Sequence, residues 1–258
     1  MALEGRWVEP PRAARSKGIA GSALGNLPQM AGVSVESPGE VAANEGRLPE
    51  PGDRRLLAIK GLGRRFGERD VIESLSLTVN AGERVALRGP NGSGKTTVLR
   101  CIAGTVAPTR GRISVGGYPA GSVSARRLLG ASLSQERSFY LRLTGHANLL
   151  CFARLRSESE AEAVEEVSAV VQELEIEGFV AQRADSYSAG MLQQLAFARA
   201  LLGKPALLLL DEPTRSLDEG AIERFWSALD RRPEAAVLLA THNRDDLIHC
   251  GDRIDLPA

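Results

Sequence analysis

The pattern of apolar and polar residues changes at about residue 56, where short apolar runs begin to alternate with longer amphipathic stretches. The run at 205–212, PALLLLDE, is apolar up to its last two residues. Such a run is typical of a strand buried on both faces of a parallel sheet. Similar runs predict further strands at 56–62, 74–79, 84–89, 111–117, 128–134 and 235–242.

Two longer stretches follow helical spacing. Residues 144–176 are mostly helix-forming and include the acidic sequence ESEAEAVEEVSAVVQELEI. Residues 189–203 place apolar side chains three and four positions apart. The order of these runs predicts an α/β sheet that is interrupted by a helical insertion.

Residues 1–55 differ from the rest of the chain. They are rich in Gly, Pro, Ala and Ser and show no sustained period, so we expect a disordered N-terminal extension. A regulatory or targeting tail and an overextended gene start are the alternatives for this segment.

Composition narrows the class of protein. Thirty-two basic and 32 acidic side chains give a net charge of zero, so we expect no nucleic-acid partner. The three cysteines are far apart, with no spacing typical of a metal site or a disulfide framework, and suit a reduced cytosol. The longest apolar runs are of strand length, so any membrane-spanning part is expected on a separate chain.

A glycine-rich loop with one lysine follows the predicted strand at 84–89. Its spacing, G-x-x-x-x-G-K-T, predicts that loop amides hold phosphate oxygens, that Lys95 reaches the outer phosphates and that the Thr96 hydroxyl binds Mg²⁺. A glycine-rich turn with an incidental lysine is the alternative. The predicted nucleotide-binding residues here are Gly89, Pro90, Asn91, Gly92, Ser93, Gly94, Lys95, Thr96 and Thr97.

Polar side chains end three of the predicted strands. Asp211 and Glu212 close the apolar run at 205–212; in a P-loop enzyme the Asp holds the Mg²⁺ shell and the Glu polarises the attacking water. A solvated turn is the alternative. His242 follows a strand that we expect beside that of Asp211, close to the terminal phosphate, and Gln135 follows the strand at 128–134 with an amide oxygen able to reach metal or water.

Two further features fit a nucleotide site. Ser188 is a good N-cap, and Ala189 and Gly190 leave the first amides of the next helix uncovered, as in an anion-binding helix terminus. An ordinary capped helix is the alternative. Phe66 is a candidate to stack on an adenine ring, or else a core aromatic.

Six motifs together resemble the ATPase subunits of ATP-binding cassette (ABC) transporters: residues 89–96, Gln135, YSAGM at 187–191, LLLLDEP at 207–213, SLD at 216–218 and ATH at 240–242. The resemblance covers residues 56–258. It implies a P-loop NTPase core with a mixed β-sheet, an N-terminal antiparallel β portion and a helical subdomain at about 136–187.

The resemblance also implies roles for single residues. Glu212 is the catalytic base, His242 the switch histidine, Gln135 the glutamine that senses metal and water, and Asp218 the residue that communicates across a dimer. Thr96, Gln135 and Asp211 are the metal ligands, and Ser188 and Gly190 contact the γ-phosphate of a second cassette. The segment departs from the family's L-S-G-G-Q at Ala189 and Met191.

The family resemblance implies ATP and Mg²⁺ as cofactors, ATP hydrolysis coupled to transport, and a dimer of identical or different cassettes. It implies a separate transmembrane permease as partner and a cytoplasmic position on the inner face of the cell membrane. Residues 136–155 together with YSAGM resemble subunits of second-type ABC exporters. A degenerate cassette that only binds ATP is the alternative; a DNA-repair ATPase would carry a long coiled coil, and no heptads precede Ser188.

Overall fold

A computed structural model describes residues 54–133 and 139–256. The fold begins with a long antiparallel hairpin. β1 (Arg55–Phe66) and β2 (Arg69–Asn80) pair from Arg55 opposite Asn80 to Phe66 opposite Arg69. Most of the predicted N-terminal extension lies outside the described residues, and Arg55, its last residue, already belongs to β1.

The remaining elements follow in this order along the described chain. They are β3 (Arg84–Arg88), α1 (Lys95–Ile102), β4 (Arg110–Val115), β5 (Tyr118–Pro119), α2 (Val123–Arg127), β6 (Leu129–Ser132), α3 (Gly145–Arg154), α4 (Glu160–Glu173), α5 (Glu177–Val180), a short 3-10 helix (Ala184–Ser186), α6 (Ala189–Leu201), β7 (Leu207–Asp211), α7 (Glu219–Asp230), β8 (Ala236–Ala240), α8 (Arg244–Leu247) and β9 (Asp252–Asp255).

The strands form two sheets. An antiparallel sheet has the order β2-β1-β4-β5, and a parallel sheet has the order β6-β7-β8-β3-β9. The predicted α/β class, with both parallel and antiparallel pairing and an inserted helical region, is confirmed. In the described residues the two kinds of pairing are divided between the two sheets.

The parallel sheet is the centre of the core. Leu207 to Leu210 of β7 and Leu238 to Ala240 of β8 are fully buried, because helices or the second sheet cover both faces. Parallel strands in the same sheet place their carboxyl ends at one edge. The ends of β3, β7 and β8 therefore meet there, with Lys95, the paired acids Asp211 and Glu212, and His242 at or just after them.

The helical insertion consists of three helices between β6 and the start of α6. α3, α4 and α5 occupy residues 145–180, within the expected 136–187. Helix α4 begins with a complete capping box between Ser159 and Glu162, which explains why this acidic stretch starts a helix there. None of the helices in the described part of the chain is long and apolar enough to span a membrane.

Candidate functional site

The phosphate loop joins β3 to α1. Gly94, the residue before α1, has φ 94°, in the left-handed region that favours glycine. A Cβ there would also lie 3.0 Å from the carbonyl oxygen of Val71. No side chain caps the first amides of α1. The helix therefore presents bare N–H groups and the positive end of its dipole, which is the geometry that binds phosphate.

Lys95 spans this loop. Its side chain is buried, and its ammonium donates hydrogen bonds to the carbonyl oxygens of Gly89 (2.7 Å) and Pro90 (3.0 Å). A buried ammonium needs such acceptors, because transfer of an unpaired charge out of water is costly. The two carbonyl oxygens thus hold the Lys95 ammonium at the entrance of the loop.

Ser93 provides a test of whether the loop fits a phosphate ligand. Its Oγ is buried and has no hydrogen-bond partner among the described residues. A Cβ on Gly89 would lie 2.6 Å from this oxygen, so the loop is closed tightly around it. A buried hydroxyl without a partner is uncommon in native proteins. An anion with several acceptor oxygens suits this donor together with Lys95 and the free amides of α1.

Thr96 and Asp211 supply oxygen ligands for a metal ion. The Thr96 hydroxyl donates to Oδ2 of Asp211 at 2.7 Å, so a side chain of α1 meets the end of β7. Burial raises the pKa of the Asp211 carboxyl, which the Thr96 hydrogen bond opposes. A divalent cation beside it would favour the ionised form. The described residues contain no cluster of three or more His, Cys, Asp and Glu side chains that could hold a metal by themselves. This donor set therefore suits Mg²⁺, which commonly takes one or two protein oxygens together with substrate phosphates.

Glu212 and His242 are in direct contact. His242 Nδ1 lies 2.7 Å from Oε1 of Glu212, and the Glu212 side chain is 19% exposed while that of His242 is 61% exposed. Glu212 has φ 47°, an uncommon value for a residue with a side chain. Its N–H donates to the carbonyl of Ala240 at 2.8 Å, which joins the end of β8 to the loop after β7.

One cavity of about 910 Å³ brings these groups together. Its lining includes six predicted residues of the phosphate loop and α1, and also Asp211, Glu212 and His242. It further includes Ala189 and Ser216, which belong to the YSAGM and SLD motifs, and five residues that were not predicted: Val71, Arg100, Ser132, Leu133 and Arg215. The six loop and helix residues are Asn91, Gly92, Gly94, Lys95, Thr96 and Thr97. The residues predicted to bind phosphate and those predicted to act as acid and base therefore line one cavity.

Phe66 lies at the end of β1 and does not line this cavity. Its side chain is 46% exposed, so it is not the core aromatic that was the alternative. The Arg64 guanidinium lies 4.2 Å from the ring centroid and donates to the carbonyl of Ala107 at 2.9 Å. One face of the ring is thus covered by a fixed cation.

Ser188 caps α6, as the sequence predicted. Its side chain accepts a hydrogen bond from the N–H of Met191 at 3.2 Å. Ser188 does not line the cavity, although Ala189 does. Gly190 packs against the loop after β7, where a Cβ on it would lie 2.5 Å from the carbonyl oxygen of Ser216.

Asp218 and Gln135 complete the predicted residues. Asp218 is the N-cap of α7 and accepts from the N–H of Ala221 at 2.8 Å, so its carboxylate has a structural partner within its own chain. Gln135 lies outside the described residues.

Sequence reasoning missed a buried network beside the acids. The Asp246 carboxylate, 1% exposed, accepts hydrogen bonds from the hydroxyls of Thr214 and Thr241. The only signal in the sequence was the position of these threonines next to the paired acids and to His242. Nothing in the local sequence predicts that Thr214 and Thr241 share Asp246 as a partner, which lies 32 residues after the first and five after the second.

The family model described as "ABC transporter" matches residues 72–215. The chain belongs to the ABC transporter family. This ABC ATPase is thereby assigned by a match that contains its phosphate loop, Asp211 and Glu212, in agreement with the resemblance of its motifs.

Curated relatives include proteins named for opposite directions of transport. The chain is 34% identical to the uncharacterized ABC transporter ATP-binding protein YdbJ of Bacillus subtilis over 77% of this chain and 65% of that protein. It is 34% identical to the zinc import ATP-binding protein ZnuC of Roseobacter denitrificans, over 77% and 74%. It is 35% identical to the Nod factor export ATP-binding protein I of Rhizobium meliloti, over 79% and 62%. The chain therefore spans less than two thirds of the length of YdbJ and of the Nod factor protein.

Solved structures share the fold. A structure described as the ATP-binding subunit of an ABC transporter superposes with a TM-score of 0.70 at 30% identity, covering 78% of this chain and 85% of that chain. A dimeric ATP-binding cassette in a post-hydrolysis state bound to ADP and Pi gives a TM-score of 0.71 at 24% identity, covering 78% and 94%.

Proposed function

We propose that this ABC ATPase hydrolyses MgATP between two cassettes and thereby drives a separate membrane permease in the direction of export. The observation that carries the proposal is the Glu212–His242 contact of 2.7 Å in the same cavity as Lys95. A carboxylate and an imidazole in contact beside a phosphate loop form the arrangement required for positioning and activating water.

The binding half of the site has three roles. Lys95 and the bare amides of α1 hold the β- and γ-phosphates, and the Ser93 hydroxyl is a further donor to them. Thr96 and Asp211 would hold Mg²⁺, which neutralises phosphate charge when bound. Phe66, with its second face open, offers an apolar surface to the adenine ring, and Gln135 would add a ligand to metal or water.

The chemical half of the site acts on water. Glu212 accepts the proton of the attacking water, and His242 orients the Glu212 carboxylate and contacts the γ-phosphate oxygens. The left-handed backbone of Glu212 and its backbone hydrogen bond to Ala240 fix the position of the Glu212 backbone relative to β8. Fixed geometry is required, because the rate of such a step depends steeply on the placement of the reacting groups.

The second cassette completes each site. Ser188 is exposed at the start of α6 and does not line the cavity of its own chain, so its hydroxyl and the first amides of α6 are available to a γ-phosphate held by another cassette. In a two-fold dimer each phosphate loop faces one such helix. The dimeric cassette of the same fold supports this arrangement.

A rigid apolar surface is available for the permease. Tyr140, Leu141 and Leu143 are 62%, 44% and 39% exposed in the loop before α3. The buried Asn148 amide accepts from the N–H of Tyr140 and donates to the carbonyls of Tyr140 and Thr144, which fixes the loop. Exposed apolar side chains on a fixed backbone are typical of an interaction surface. We assign this surface to the permease and propose that the chain acts at the cytoplasmic face of the membrane.

Export is the direction that we propose, because residues 136–155 resemble second-type exporter subunits and a relative is named for Nod factor export. The relatives named for import make this the finer part of the proposal. In this proposal the permease, not the ATPase, determines which substrate is transported.

One experiment tests both the permease-docking surface and the direction of transport. A photo-crosslinking residue replaces Leu141 in the full chain, with Val123, another exposed apolar residue, as the matched control. We expect a membrane-embedded chain to crosslink from position 141 and not from 123.

Inverted vesicles that carry this chain and its crosslinked membrane partner are then incubated with ATP and a cell extract. Export predicts ATP-dependent accumulation of a compound inside the vesicles, absent with Glu212→Gln. Crosslinking from 123 alone contradicts the docking surface, and ATP-dependent release from preloaded vesicles contradicts export.

A further inference from the structure

A buried carboxylate links the two loops that carry the acid–base pair. Asp246 lies in the short helix α8, and its side chain is 1% exposed. Its Oδ1 accepts from the Thr214 hydroxyl at 2.8 Å, and its Oδ2 accepts from the Thr241 hydroxyl at 2.7 Å. Thr214 is two residues after Glu212, and Thr241 is one residue before His242.

The direction of these hydrogen bonds is determined by a neighbouring residue. The Thr241 oxygen accepts from the N–H of Asn243 at 3.0 Å, and the Thr214 oxygen lies 3.5 Å from the Asn243 amide nitrogen. Each hydroxyl therefore directs its proton towards Asp246, which as a carboxylate accepts both. An apolar side chain at 246 would leave both buried donors without an acceptor.

This arrangement costs more than the fold requires. Burial raises the pKa of the Asp246 carboxyl, and the threonine hydrogen bonds only oppose that rise. The nearby His249 also lowers this pKa. A buried ionised group is expensive, and well-packed apolar residues often fill such space at lower cost. A role in placing the two loops accounts for a carboxylate here.

His242 depends on the backbone of its loop for its position. Its ring is 61% exposed and is not confined by packing, and its hydrogen bond to Glu212 is the contact that orients it. Two sets of hydrogen bonds join the loop of His242 to that of Glu212. One is the backbone hydrogen bond from Glu212 to Ala240, and the other is the pair from Thr214 and Thr241 to Asp246. The second connection joins the residue before His242 to the segment just after Glu212.

We propose that Asp246 is a positioning residue for ATP hydrolysis, which fixes the spacing between the loops of Glu212 and His242 through Thr214 and Thr241. The proposal rests on the proposed roles of Glu212 and His242 in the reaction. Asp246 does not line the cavity, and its carboxylate accepts from Thr214 and Thr241 rather than from Thr96, so we expect it to act on turnover and leave nucleotide binding intact.

The test compares Asp246→Ala, Asp246→Asn and the matched control Asp245→Ala in the full chain. Asp245 is the exposed neighbour on α8, and its hydrogen bond to Asn243 uses only the backbone N–H. The rate of ATP cleavage is measured in single-turnover reactions with protein in excess, and the Kd for MgATP is measured separately. All reactions are run well below the melting temperature of each variant.

We expect Asp246→Ala to lower the cleavage rate about tenfold or more, since small displacements of catalytic groups cost up to about 10²-fold. Its Kd for MgATP should stay within about twofold, because the phosphate loop is untouched. Asp246→Asn keeps one acceptor and the shape of the side chain, so it should recover most of the rate, within about threefold of wild type. Asp245→Ala should behave like wild type.

Two outcomes overturn the proposal: a wild-type cleavage rate in Asp246→Ala, or a loss of rate matched by an equal loss of MgATP affinity. If Asp246→Ala does not fold, Thr241→Val, which removes one arm of the link, must lower the rate at unchanged Kd, and a wild-type rate there overturns the proposal. Glu212→Gln and His242→Ala are assayed in parallel. If both keep the wild-type rate, the proposed function fails together with this inference; if both lose it while Asp246→Ala keeps it, only the role of Asp246 fails.

Discussion

The Cα of Gly190 faces the carbonyl oxygen of Ser216 so closely that a Cβ on the glycine would lie 2.5 Å from that oxygen. Gly190 is in the first turn of α6, and Ser216 is in the loop between β7 and α7 with φ 71°. The start of α6 is therefore packed against the loop that precedes Asp218 within one chain. A side chain at position 190 would act on this contact before any second cassette approaches.

The first prediction concerns this contact. Gly190→Ala should lower the free energy of unfolding by about 1–3 kcal/mol, as overpacking against a backbone atom does. Gly178→Ala in α5 is the matched control, because no atom lies within 4 Å of its Cβ position. Replacing a helical glycine with alanine there should be neutral or stabilising by up to about 1 kcal/mol. Urea denaturation measures both, and equal effects would contradict the packing argument.

The second prediction tests whether α6 completes the site of another chain. Ser188→Asp keeps a good N-cap acceptor but places a negative charge where a γ-phosphate would arrive. Ser188→Asn keeps the cap without the charge and is the control. Lys95→Ala removes the cation of the phosphate loop.

We expect little nucleotide trapping in Lys95→Ala or Ser188→Asp homodimers. A tag-selected heterodimer of the two contains one intact site and should trap measurable nucleotide. Trapping no greater than in either parent, with Ser188→Asn homodimers trapping normally, would count against a site shared between chains.

The third prediction concerns the base. Glu212→Gln keeps the shape of the side chain and a possible contact with His242, but it cannot accept a proton. Turnover should fall by about 10²-fold or more, since general-base catalysis contributes 10²–10⁴-fold. ATP-bound dimers should accumulate, as measured by phosphate release and by size-exclusion chromatography with MgATP. Glu219→Gln, an exposed acid at the start of α7, should leave both readouts unchanged. A wild-type chain that binds ATP without releasing phosphate would indicate a degenerate cassette.

The fourth prediction concerns the pH dependence of stability. Burial raises the pKa of Asp211 in the folded state, so the folded protein holds this proton more tightly than the unfolded chain does. Stability from this group is therefore complete at acidic pH and is lost as pH rises through the raised pKa. Asp211→Asn removes that loss and still accepts the Thr96 hydroxyl.

Without Mg²⁺, the melting temperature of Asp211→Asn should exceed that of wild type by a margin that grows from acidic to neutral pH. Asp245→Asn, at an exposed position, is the control. The stabilisation of wild type by MgATP should be lost in Asp211→Asn. A melting temperature below that of wild type at neutral pH would contradict the role of burial in raising this pKa.

Much of the fold follows from local patterns in the sequence. The continuous apolar run that ends in Asp211 predicted β7, because a strand buried on both faces needs no alternation. The glycines before Lys95 and the serine before α6 marked a phosphate loop and a helix start, since each requires a specific backbone or capping group at a fixed distance along the chain. The position of His242 beside the strand of Asp211 also followed, because neighbouring parallel strands end at the same edge.

The tertiary structure alone decided the contacts between residues that are distant in sequence. Asp246 becomes a buried link only when the loops after β7 and β8 are side by side. Gly190 meets Ser216 only when α6 packs against the loop after β7. The guanidinium of Arg64 covers one face of the Phe66 ring outside the main cavity, a placement that the residue types along β1 do not predict. Short spacings along the chain specify the residues of a local motif. The burial of a residue and its contact partners depend on which distant segments the parallel sheet brings together.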